Sequence, residues 1–251
     1  TFFALRKAVS KLKIKPVYLG DIGCYTLGLN PPYKVQDTCI EMGGSIGAAN
    51  GLVVTTKQPM IAIIGDSTFF HAGIPPLINA VYNNTPFLTI ILDNRTTAMT
   101  GHQPHPGTGV TASGESAKII RPEEIAKSIG VEYVDIINPF KLEEAAGKIE
   151  EALKFVEEKK KPAVIVSLRK CALLVIAEAH RKNIKIPVYK VDLEKCTACT
   201  RCYNVFACPA IQVLEDGKAW IDPTLCAGCG DCVQVCPVQA IEPTIKPEKD
   251  W

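Results

Sequence analysis

The chain has 251 residues, of which 47% are hydrophobic and 22% are charged, and its formal net charge is +2. These values are typical of a globular protein with one or two domains, and they give no electrostatic reason to expect nucleic acid or an anionic membrane as a partner. No apolar run approaches the roughly 18 residues of a membrane span and no signal peptide opens the chain, so we expect a cytoplasmic location.

The first elements in chain order are a helix and a short strand. Residues 2–12 have the apolar spacing of an amphipathic helix, and residues 17–19 form an apolar strand. The chain enters that helix at once and without an initiator methionine, which leads us to expect a segment of a longer polypeptide. The strand runs into a turn, residues 20–24, that would lie at the ligand-binding edge of a parallel sheet. Cys24 in that turn is equally compatible with a small buried side chain.

A glycine-rich stretch and a β-α-β unit come next. Residues 43–51 are nearly all small and predict a turn that enters a helix. Residues 60–64 and 87–92 are β-branched runs bounded by turn residues, which is typical of buried parallel strands. Between them, residues 73–83 have helical apolar spacing. We therefore expect strand, loop, helix, strand and loop, with both loops on the same edge of the sheet.

Polar side chains follow both predicted strands of this unit. Asp66 offers a carboxylate oxygen, Asn94 an amide oxygen, and a main-chain carbonyl just after it, that of Thr96, a third ligand. Mg²⁺ takes about six oxygens and prefers several of them from phosphate and water. Gly65 and Ser67 would add close backbone approach and hydrogen-bond donors to a diphosphate. The alternative is a pair of ordinary turns between strands and helices.

The irregular stretch 102–114 is rich in Gly, Pro, Thr and Ser, and its position predicts a loop over the site. His71, His102 and His105 are candidates for handling a carboxylate or protons there, and His71 and His102 are the weak catalytic candidates. The alternative for each is a merely solvated side chain. Glu41 is not assigned a catalytic role, because a solvated carboxylate is the simpler interpretation.

The remaining elements complete one domain and lead to a second. Helices are predicted from residue 121 to about 129 and over 140–158, and strands over 131–137 and 163–168. Residues 172–180 have the composition of a short helix. We expect a first domain over residues 1–170, a connector over 171–187, and a second domain over 188–251 that ends in a C-terminal tail.

Eight of the eleven cysteines lie between positions 196 and 236. Cys196, Cys199 and Cys202 precede Cys208-Pro209, and three cysteines recur 30 residues later before Cys236-Pro237. Such clustering without a secretion signal favours metal ligation over disulfides. Short spacings let one loop hold three corners of an iron-sulfur cluster while the fourth ligand comes from elsewhere. A pair of zinc sites is the alternative.

The cysteine-rich region is an internal repeat. Its first half has five residues before the Cys-Pro pair where its second half has three. The repeat therefore predicts a local bulge over residues 204–207, with the pseudo-symmetric frame kept. Residues 215–218 predict the hairpin turn that joins the two halves.

Several of these motifs resemble one enzyme family. Gly65-Asp66-Ser67 followed by Asp93-Asn94 resembles the thiamine diphosphate motif, and residues 97–103, TAMTGHQ, are similar to the loop that wraps the diphosphate in 2-oxoacid:ferredoxin oxidoreductases. The turn GDIGC is similar to the GIGC turn of the same family, and the cysteine pattern resembles that of two-cluster ferredoxins. Within the family, the order of parts is similar to the C-terminal portion of indolepyruvate ferredoxin oxidoreductase α subunits.

The resemblance implies an α/β fold: a parallel-sheet domain that binds thiamine diphosphate and Mg²⁺, followed by a small α+β bacterial-type ferredoxin domain with two [4Fe-4S] clusters. It implies Mg²⁺ ligands at Asp66, Asn94 and Thr96. The implied cofactor-binding residues are Gly23, Cys24, Gly43, Gly65, Asp66, Ser67, Asn94, Thr96, Met99 and Thr100. The implied cluster ligands are Cys196, Cys199, Cys202 and Cys236 for one cluster, and Cys226, Cys229, Cys232 and Cys208 for the other.

The resemblance also implies an activity: oxidative decarboxylation of an arylpyruvate, above all indolepyruvate, to an acyl-CoA and CO₂, with electrons passed singly to ferredoxin. Coenzyme A would be the co-substrate, a β subunit the partner in a hetero-oligomer, and a pyrimidine-binding domain that supplies the catalytic glutamate would lie outside this chain. The alternatives are an oxidoreductase for pyruvate or another 2-oxoacid, and a pure iron-sulfur electron-transfer subunit.

Overall fold

The β-branched runs of the first part of the chain form one sheet in a computed structural model, which describes residues 1–246. The described residues divide into two units, of which the first is Thr1–Cys171 and the second begins at Ala172. In the first unit the strands are β1 Val17–Gly20, β2 Thr38–Cys39, β3 Met60–Gly65, β4 Leu88–Asp93, β5 Tyr133–Ile137 and β6 Ala163–Leu168. Its α-helices are α1 Phe2–Leu12, α2 Gly44–Leu52, α3 Asp66–Thr68, α4 Ile74–Tyr82, α5 Pro122–Ser128 and α6 Leu142–Lys159.

The strands lie in the order β2-β1-β3-β4-β6-β5, and every described pairing between them is parallel. The predicted α/β class with a parallel sheet is therefore confirmed. The order of the strands reverses between β1 and β3, because β2 continues to one side and β4 to the other. Such a switch point opens a crevice at the carboxyl ends of the strands.

Each face of the sheet is covered by helices, since alternate strand residues point to opposite sides. One core combines Ile61 and Ile63 with the apolar sides of α1 and α6. The other combines Ala62 and Ile64 with α2, α4 and α5. With apolar residues buried on both faces, β3 is fully covered along its length. This central strand ends at Gly65, directly before Asp66.

The prediction of a loop after β3 is wrong. Helical backbone begins directly at Asp66 in α3 and continues through a π-helical turn, Phe69–Gly73, into α4. Pro75 and Pro76 lie in the first turn of α4, where proline is tolerated because the first N–H groups of a helix have no partner within it. Asp66 is the first residue of a helical segment.

The second unit begins with helix α7, Ala172–Arg181, inside the stretch predicted as a connector. Its strands are β7 Tyr189–Val191, β8 Ile211–Val213, β9 Ala219–Ile221 and β10 Ile241–Pro243, and its further helices are a π-helical turn Arg201–Val205 and α8 Asp231–Val235. Strand β7 pairs antiparallel with β10, and β8 pairs antiparallel with β9. Strands β7 and β9 start 30 residues apart, as do β8 and β10, so the structure follows the predicted repeat.

The two halves differ where the repeat loses its register. In the first half the helix is a π turn, Arg201–Val205, and Ala207 has left-handed backbone (φ 51°). The second half has the ordinary α-helix α8 at the matching place. The extra residues of the first half are thus absorbed by a wider turn, at the predicted position of the bulge. The predicted hairpin turn joins β8 to β9, with Gly217 in left-handed backbone (φ 79°).

None of the helices in residues 1–246 combines the length and the apolar character needed to span a membrane. The end of the predicted C-terminal tail, residues 247–251, lies outside the described residues.

Candidate functional site

A cleft opens at the carboxyl ends of β1, β3, β4 and β6. Most of its lining comes from the segments that directly follow these strands, and Thr1, Phe2, Met42 and Pro139 complete it. Of the residues predicted to bind the cofactor, the lining includes Gly23, Cys24, Gly65, Asp66, Ser67, Asn94, Thr96, Met99 and Thr100. The parallel topology alone brings Ser67, after β3, and Asn94, after β4, to the same edge.

Asp66 is buried in the wall of the cleft, with 3% of its surface exposed. Its Oδ1 atom accepts a hydrogen bond from the Ser67 backbone N–H at 2.9 Å, and its Oδ2 atom accepts one from the Arg95 backbone N–H at 2.9 Å. The imidazole Nε2 of His105 lies 3.1 Å from the same Oδ2 atom. Both oxygens of the carboxylate are therefore held, by groups from three different segments.

Asp93, at the end of β4, places a second carboxylate in the cleft. Its Oδ1 atom accepts from the Arg95 backbone N–H at 3.1 Å, whereas its buried Oδ2 atom has no hydrogen-bond partner within residues 1–246. Burial, and secondarily the negative charge of Asp66, raise the pKa of Asp93 well above its usual value. The Arg95 Nε atom lies 3.3 Å from Asp93 Oδ1 and offsets part of the negative charge. The carboxylates and the orphaned Asp93 oxygen remain hard oxygen donors, so these residues fit Mg²⁺.

The turn after β4 is shaped by its own side chains. The Asn94 Oδ1 atom accepts a hydrogen bond from the Thr96 backbone N–H at 3.0 Å, and the Asn94 carbonyl accepts one from the Cys171 N–H at 3.0 Å. The Thr97 hydroxyl donates to the Ser67 hydroxyl at 2.8 Å, which ties this turn to the one after β3. The two turns predicted to hold a metal and a diphosphate are thus one connected structure.

A buried acid after β1, Asp21, is paired with the half-buried Tyr25 at the same edge. The Tyr25 hydroxyl donates a hydrogen bond to Asp21 Oδ1, and the Asp21 Oδ2 atom accepts one from the Gly43 N–H at 2.9 Å. Burial raises the pKa of Asp21 to about 6, and the hydrogen bond from Tyr25 opposes that rise. A Cβ at Gly65 would lie 2.9 Å from the Tyr25 ring. A side chain at position 65 would therefore displace the tyrosine from its acid.

Gly43, predicted to touch the cofactor, is not among the described residues that line the cleft. It has left-handed backbone (φ 92°), and a Cβ there would lie 2.4 Å from the side chain of Ala72. Its contribution to the described structure is the hydrogen bond to Asp21 and a close approach between two helical segments.

The three loop histidines have different surroundings. His71 is exposed on the π turn, and neither His71 nor His102 is among the described residues that line the cleft. His105 is buried against Asp66. The structure thus brings the third histidine, rather than either of the weak catalytic candidates, to the predicted metal ligand.

Arg169 follows β6 and is the one cationic side chain among the described residues that line the cleft. Its guanidinium lies 4.4 Å from the centre of the Phe140 ring, a cation-π contact. The stacked arginine adds a positive charge to a cleft that otherwise carries two carboxylates, and so offers a partner to an anionic ligand.

In the second unit, one cavity collects cysteines from both halves of the repeat. Its lining includes Cys196, Cys199 and Cys202 from the first half and Cys236 from the second. Burial raises the pKa of the Cys202 thiol to about 11, and the negative charges of Cys199, Cys196 and Cys236 add to the rise. The Ala240 N–H donates to Cys236 Sγ at 3.3 Å.

The other four cysteines form a matching group. Burial raises the pKa of Cys232, and Cys229, Cys208 and Cys226 raise it further. Burial is also the main cause that raises the pKa of Cys229 to about 11. Across residues 1–246, no three His, Cys, Asp or Glu side chains are close enough together to hold one metal ion. Two sets of four cysteines are a donor set that fits iron-sulfur clusters, which bind thiolates.

Sequence reasoning missed the roles of several polar side chains in the first unit, namely those of Asp21, Tyr25, Asp93 and Arg169. Asp21 and Arg169 could have been found, because each directly follows a parallel strand and so lies at the ligand-binding edge. The position of His105 beside Asp66 had no such signal, because an irregular loop separates the two in sequence.

Two family models match the chain. The model described as thiamine pyrophosphate enzyme, C-terminal TPP binding domain, matches residues 21–167, more than half of the chain. The model described as 4Fe-4S binding domain matches residues 219–242, which contain Cys226, Cys229, Cys232 and Cys236.

Curated relatives match nearly the whole chain. It is 46% identical over 243 residues to the indolepyruvate oxidoreductase subunit IorA of Archaeoglobus fulgidus, covering 97% of this chain and 38% of that protein. It is 47% identical over 245 residues to the subunit IorA of Methanothermobacter marburgensis, covering 96% of this chain and 38% of that protein. The chain thus spans little more than a third of the length of these relatives.

A solved structure shares the fold. The 2-oxoglutarate:ferredoxin oxidoreductase from Magnetococcus marinus aligns with a TM-score of 0.59 and 19% sequence identity, covering 68% of this chain and 60% of that chain.

Proposed function

The chain belongs to the thiamine pyrophosphate enzyme family through its C-terminal TPP binding domain, and we propose that it forms the cofactor-binding and electron-transfer part of a 2-oxoacid:ferredoxin oxidoreductase. The reaction would be the oxidative decarboxylation of an arylpyruvate, indolepyruvate above all, to an acyl-CoA and CO₂. The observation that carries this proposal is the presence, on one chain, of a cleft lined by Asp66 and Asn94 and of two four-cysteine groups.

The proposed Mg²⁺ ligands are the Asp66 carboxylate, the Asn94 amide oxygen and the Thr96 carbonyl. Asp93 adds negative charge at the same edge, and its orphaned oxygen supports the need for a cation. Ser67 and the glycine at position 65 would receive the diphosphate, because backbone N–H groups at the start of a helical segment attract anions. Bound thiamine diphosphate supplies the carbanion that attacks a keto carbon and the ring that takes up electrons when CO₂ leaves.

Other side chains of the cleft would bind anions, exclude water and shape its wall. Arg169 would attract the anionic cofactor or the carboxylate of the substrate into the cleft. Apolar side chains such as Phe2, Ile22 and Met99 line the same cleft and would exclude water from the reacting carbon. The hydrogen bond between Tyr25 and its acid would keep the tyrosine ring against the wall of the cleft.

Two [4Fe-4S] clusters are proposed, one held by each cysteine group. Cys196, Cys199 and Cys202 would share one cluster with Cys236, and Cys226, Cys229 and Cys232 would share the other with Cys208. The clusters would carry electrons one at a time to ferredoxin. The crossed assignment is supported by the cavity that contains Cys236 together with the three cysteines of the first half.

We further propose that the chain works in a hetero-oligomer. The relatives are named as subunits, and this chain spans 38% of their length, so a pyrimidine-binding domain and a β subunit would complete the enzyme. Coenzyme A would be the co-substrate.

The test is an assay of the full-length parent protein, expressed with its partner subunit, for reduction of ferredoxin by indolepyruvate in the presence of coenzyme A. Pyruvate and 2-oxoglutarate serve as comparison substrates. We expect indolepyruvate to give the highest kcat/KM. A higher value for pyruvate or 2-oxoglutarate would overturn the choice of substrate.

The Asp66→Ala variant tests the cofactor site separately, with the exposed Asp216→Ala as its matched control. Asp66→Ala should lose Mg²⁺-dependent thiamine diphosphate binding while the visible absorbance of the clusters persists. Unchanged cofactor binding in this variant would overturn the assignment of Asp66. Failure of the wild-type protein to bind the cofactor would favour a pure electron-transfer subunit.

A further inference from the structure

The hydrogen bonds of His105 define which of its ring nitrogens carries the proton. Its Nδ1 atom accepts a hydrogen bond from the Gly107 backbone N–H at 3.1 Å, so Nδ1 carries no proton. The proton therefore lies on Nε2, which is 3.1 Å from Asp66 Oδ2 and donates to it. Both side chains are only 4% exposed, so water does not compete strongly for this bond.

The loop that carries His105 is fixed on two sides. The Arg95 Nη1 atom donates to the Gly107 carbonyl at 3.1 Å, and the Phe70 ring packs on the imidazole with 5.5 Å between ring centres. A Cβ at position 107 would lie 2.9 Å from both His105 and Phe70. Glycine at this position lets the backbone close against the imidazole.

The two carboxylate oxygens of Asp66 accept different numbers of hydrogen bonds. Among the described residues, Oδ2 accepts from the Arg95 N–H and from His105, whereas Oδ1 accepts only from the Ser67 N–H. Each carboxylate oxygen has about two lone-pair sites, so Oδ2 is saturated and Oδ1 has one left.

We propose that His105 is a positioning residue for the Asp66 carboxylate, holding it so that Oδ1 is the oxygen that binds Mg²⁺. The proposal rests on the proposed function of the cleft. A neutral donor suits this task because it orients the acid without neutralising the charge that attracts the metal.

The test is calorimetric titration of Mg²⁺ into the full-length parent protein, expressed with its partner subunit, with saturating thiamine diphosphate. Thermal unfolding without either ligand shows that each variant is folded. His105→Leu removes the donor and should weaken Mg²⁺ affinity by about 10–100-fold. His105→Gln can donate from a similar place and should stay within about threefold of the wild type. The exposed His180→Leu in the second unit is the control.

The outcomes separate this inference from the function it rests on. Wild-type Mg²⁺ affinity in His105→Leu would overturn the inference alone, as would a Gln variant as weak as the Leu variant, because the donor would then be irrelevant. Absence of Mg²⁺-dependent binding in the wild type would overturn the proposed function, and this inference with it.

Discussion

The hydroxyl of Tyr189 occupies the space that a side chain at Gly230 would need, since a Cβ there would lie 2.7 Å from the hydroxyl oxygen. Gly230 also has left-handed backbone, with φ 74°. Its counterpart 30 residues earlier, Thr200, has φ 65°, and the counterpart of Tyr189 is the small Ala219. The second half therefore requires glycine for space and conformation, whereas the first half tolerates a strained threonine.

Gly230→Ala and Thr200→Gly should consequently have opposite effects. Gly230→Ala should destabilise the second unit by more than the roughly 1–2 kcal/mol of left-handed strain, because the Cβ also collides with Tyr189. Thr200→Gly should be neutral or stabilising by up to about 1 kcal/mol, since relief of strain exceeds the added chain entropy. Thermal unfolding and iron content would measure both, and a tolerated Gly230→Ala would contradict the steric argument.

The crossed assignment of the cysteines predicts how much iron is lost in single and double cysteine variants. Cys236→Ala should lose about four of eight irons, because a [4Fe-4S] cluster needs its four thiolates. Adding Cys199→Ala should cost no further iron, whereas adding Cys229→Ala should remove the rest. Iron and sulfide analysis measures each protein, with the exposed Cys39→Ala as control. If adding Cys229→Ala cost no further iron and adding Cys199→Ala removed the rest, each half would bind its cluster with its own four cysteines.

The buried Asp21 predicts a pH dependence of stability. Its folded pKa of about 6 exceeds the ordinary value of 3.8, so the folded state binds more protons between these values. Stability should therefore fall as pH rises from about 4 to about 6, by an amount on the order of 1–3 kcal/mol for this group. Urea unfolding across this pH range should show a smaller fall in Asp21→Asn than in the wild type. Equal falls in both proteins would contradict the assignment to Asp21.

Arg169 should contribute to the binding of anions in the cleft. Arg169→Gln should weaken thiamine diphosphate binding by about fivefold, which corresponds to roughly 1 kcal/mol for a partly exposed charge. Arg169→Lys should recover part of the affinity, and the exposed Arg181→Gln in the second unit should change nothing. Calorimetry provides the measurement. Equal affinity in Arg169→Gln and wild type would mean that this charge faces no bound anion.

The sequence predicted five of the six strands of the sheet, all except β2, and the edge at which ligands would bind. The β-branched runs around Ile63 and Ile90 predict buried parallel strands, and turn residues such as Asp66 and Asn94 then have to share one edge. The cysteine spacing likewise identified the repeat. These signals are local or periodic, so they can be read without knowing tertiary contacts.

Other features could not be read in this way. The contact between His105 and Asp66 joins a periodic element to an irregular loop, and no spacing rule connects them. The helical start at Asp66 was missed because Gly65, Asp66 and Ser67 have the composition of a turn, whereas the backbone continues as α3 and a π turn. The difference between Thr200 and Gly230 depends on the size of a side chain in the opposite half.

The cavity shared by Cys202 and Cys236 has a consequence for how this region could be divided. In the proposed crossed assignment, a fragment that contained only one half would keep three thiols of one set and one thiol of the other. It could complete a set of four only by exchanging that cysteine with a second copy of itself. Because the hairpin at Gly217 joins the two halves covalently, the halves exchange these cysteines within one chain. A dimer of separate halves is then not needed.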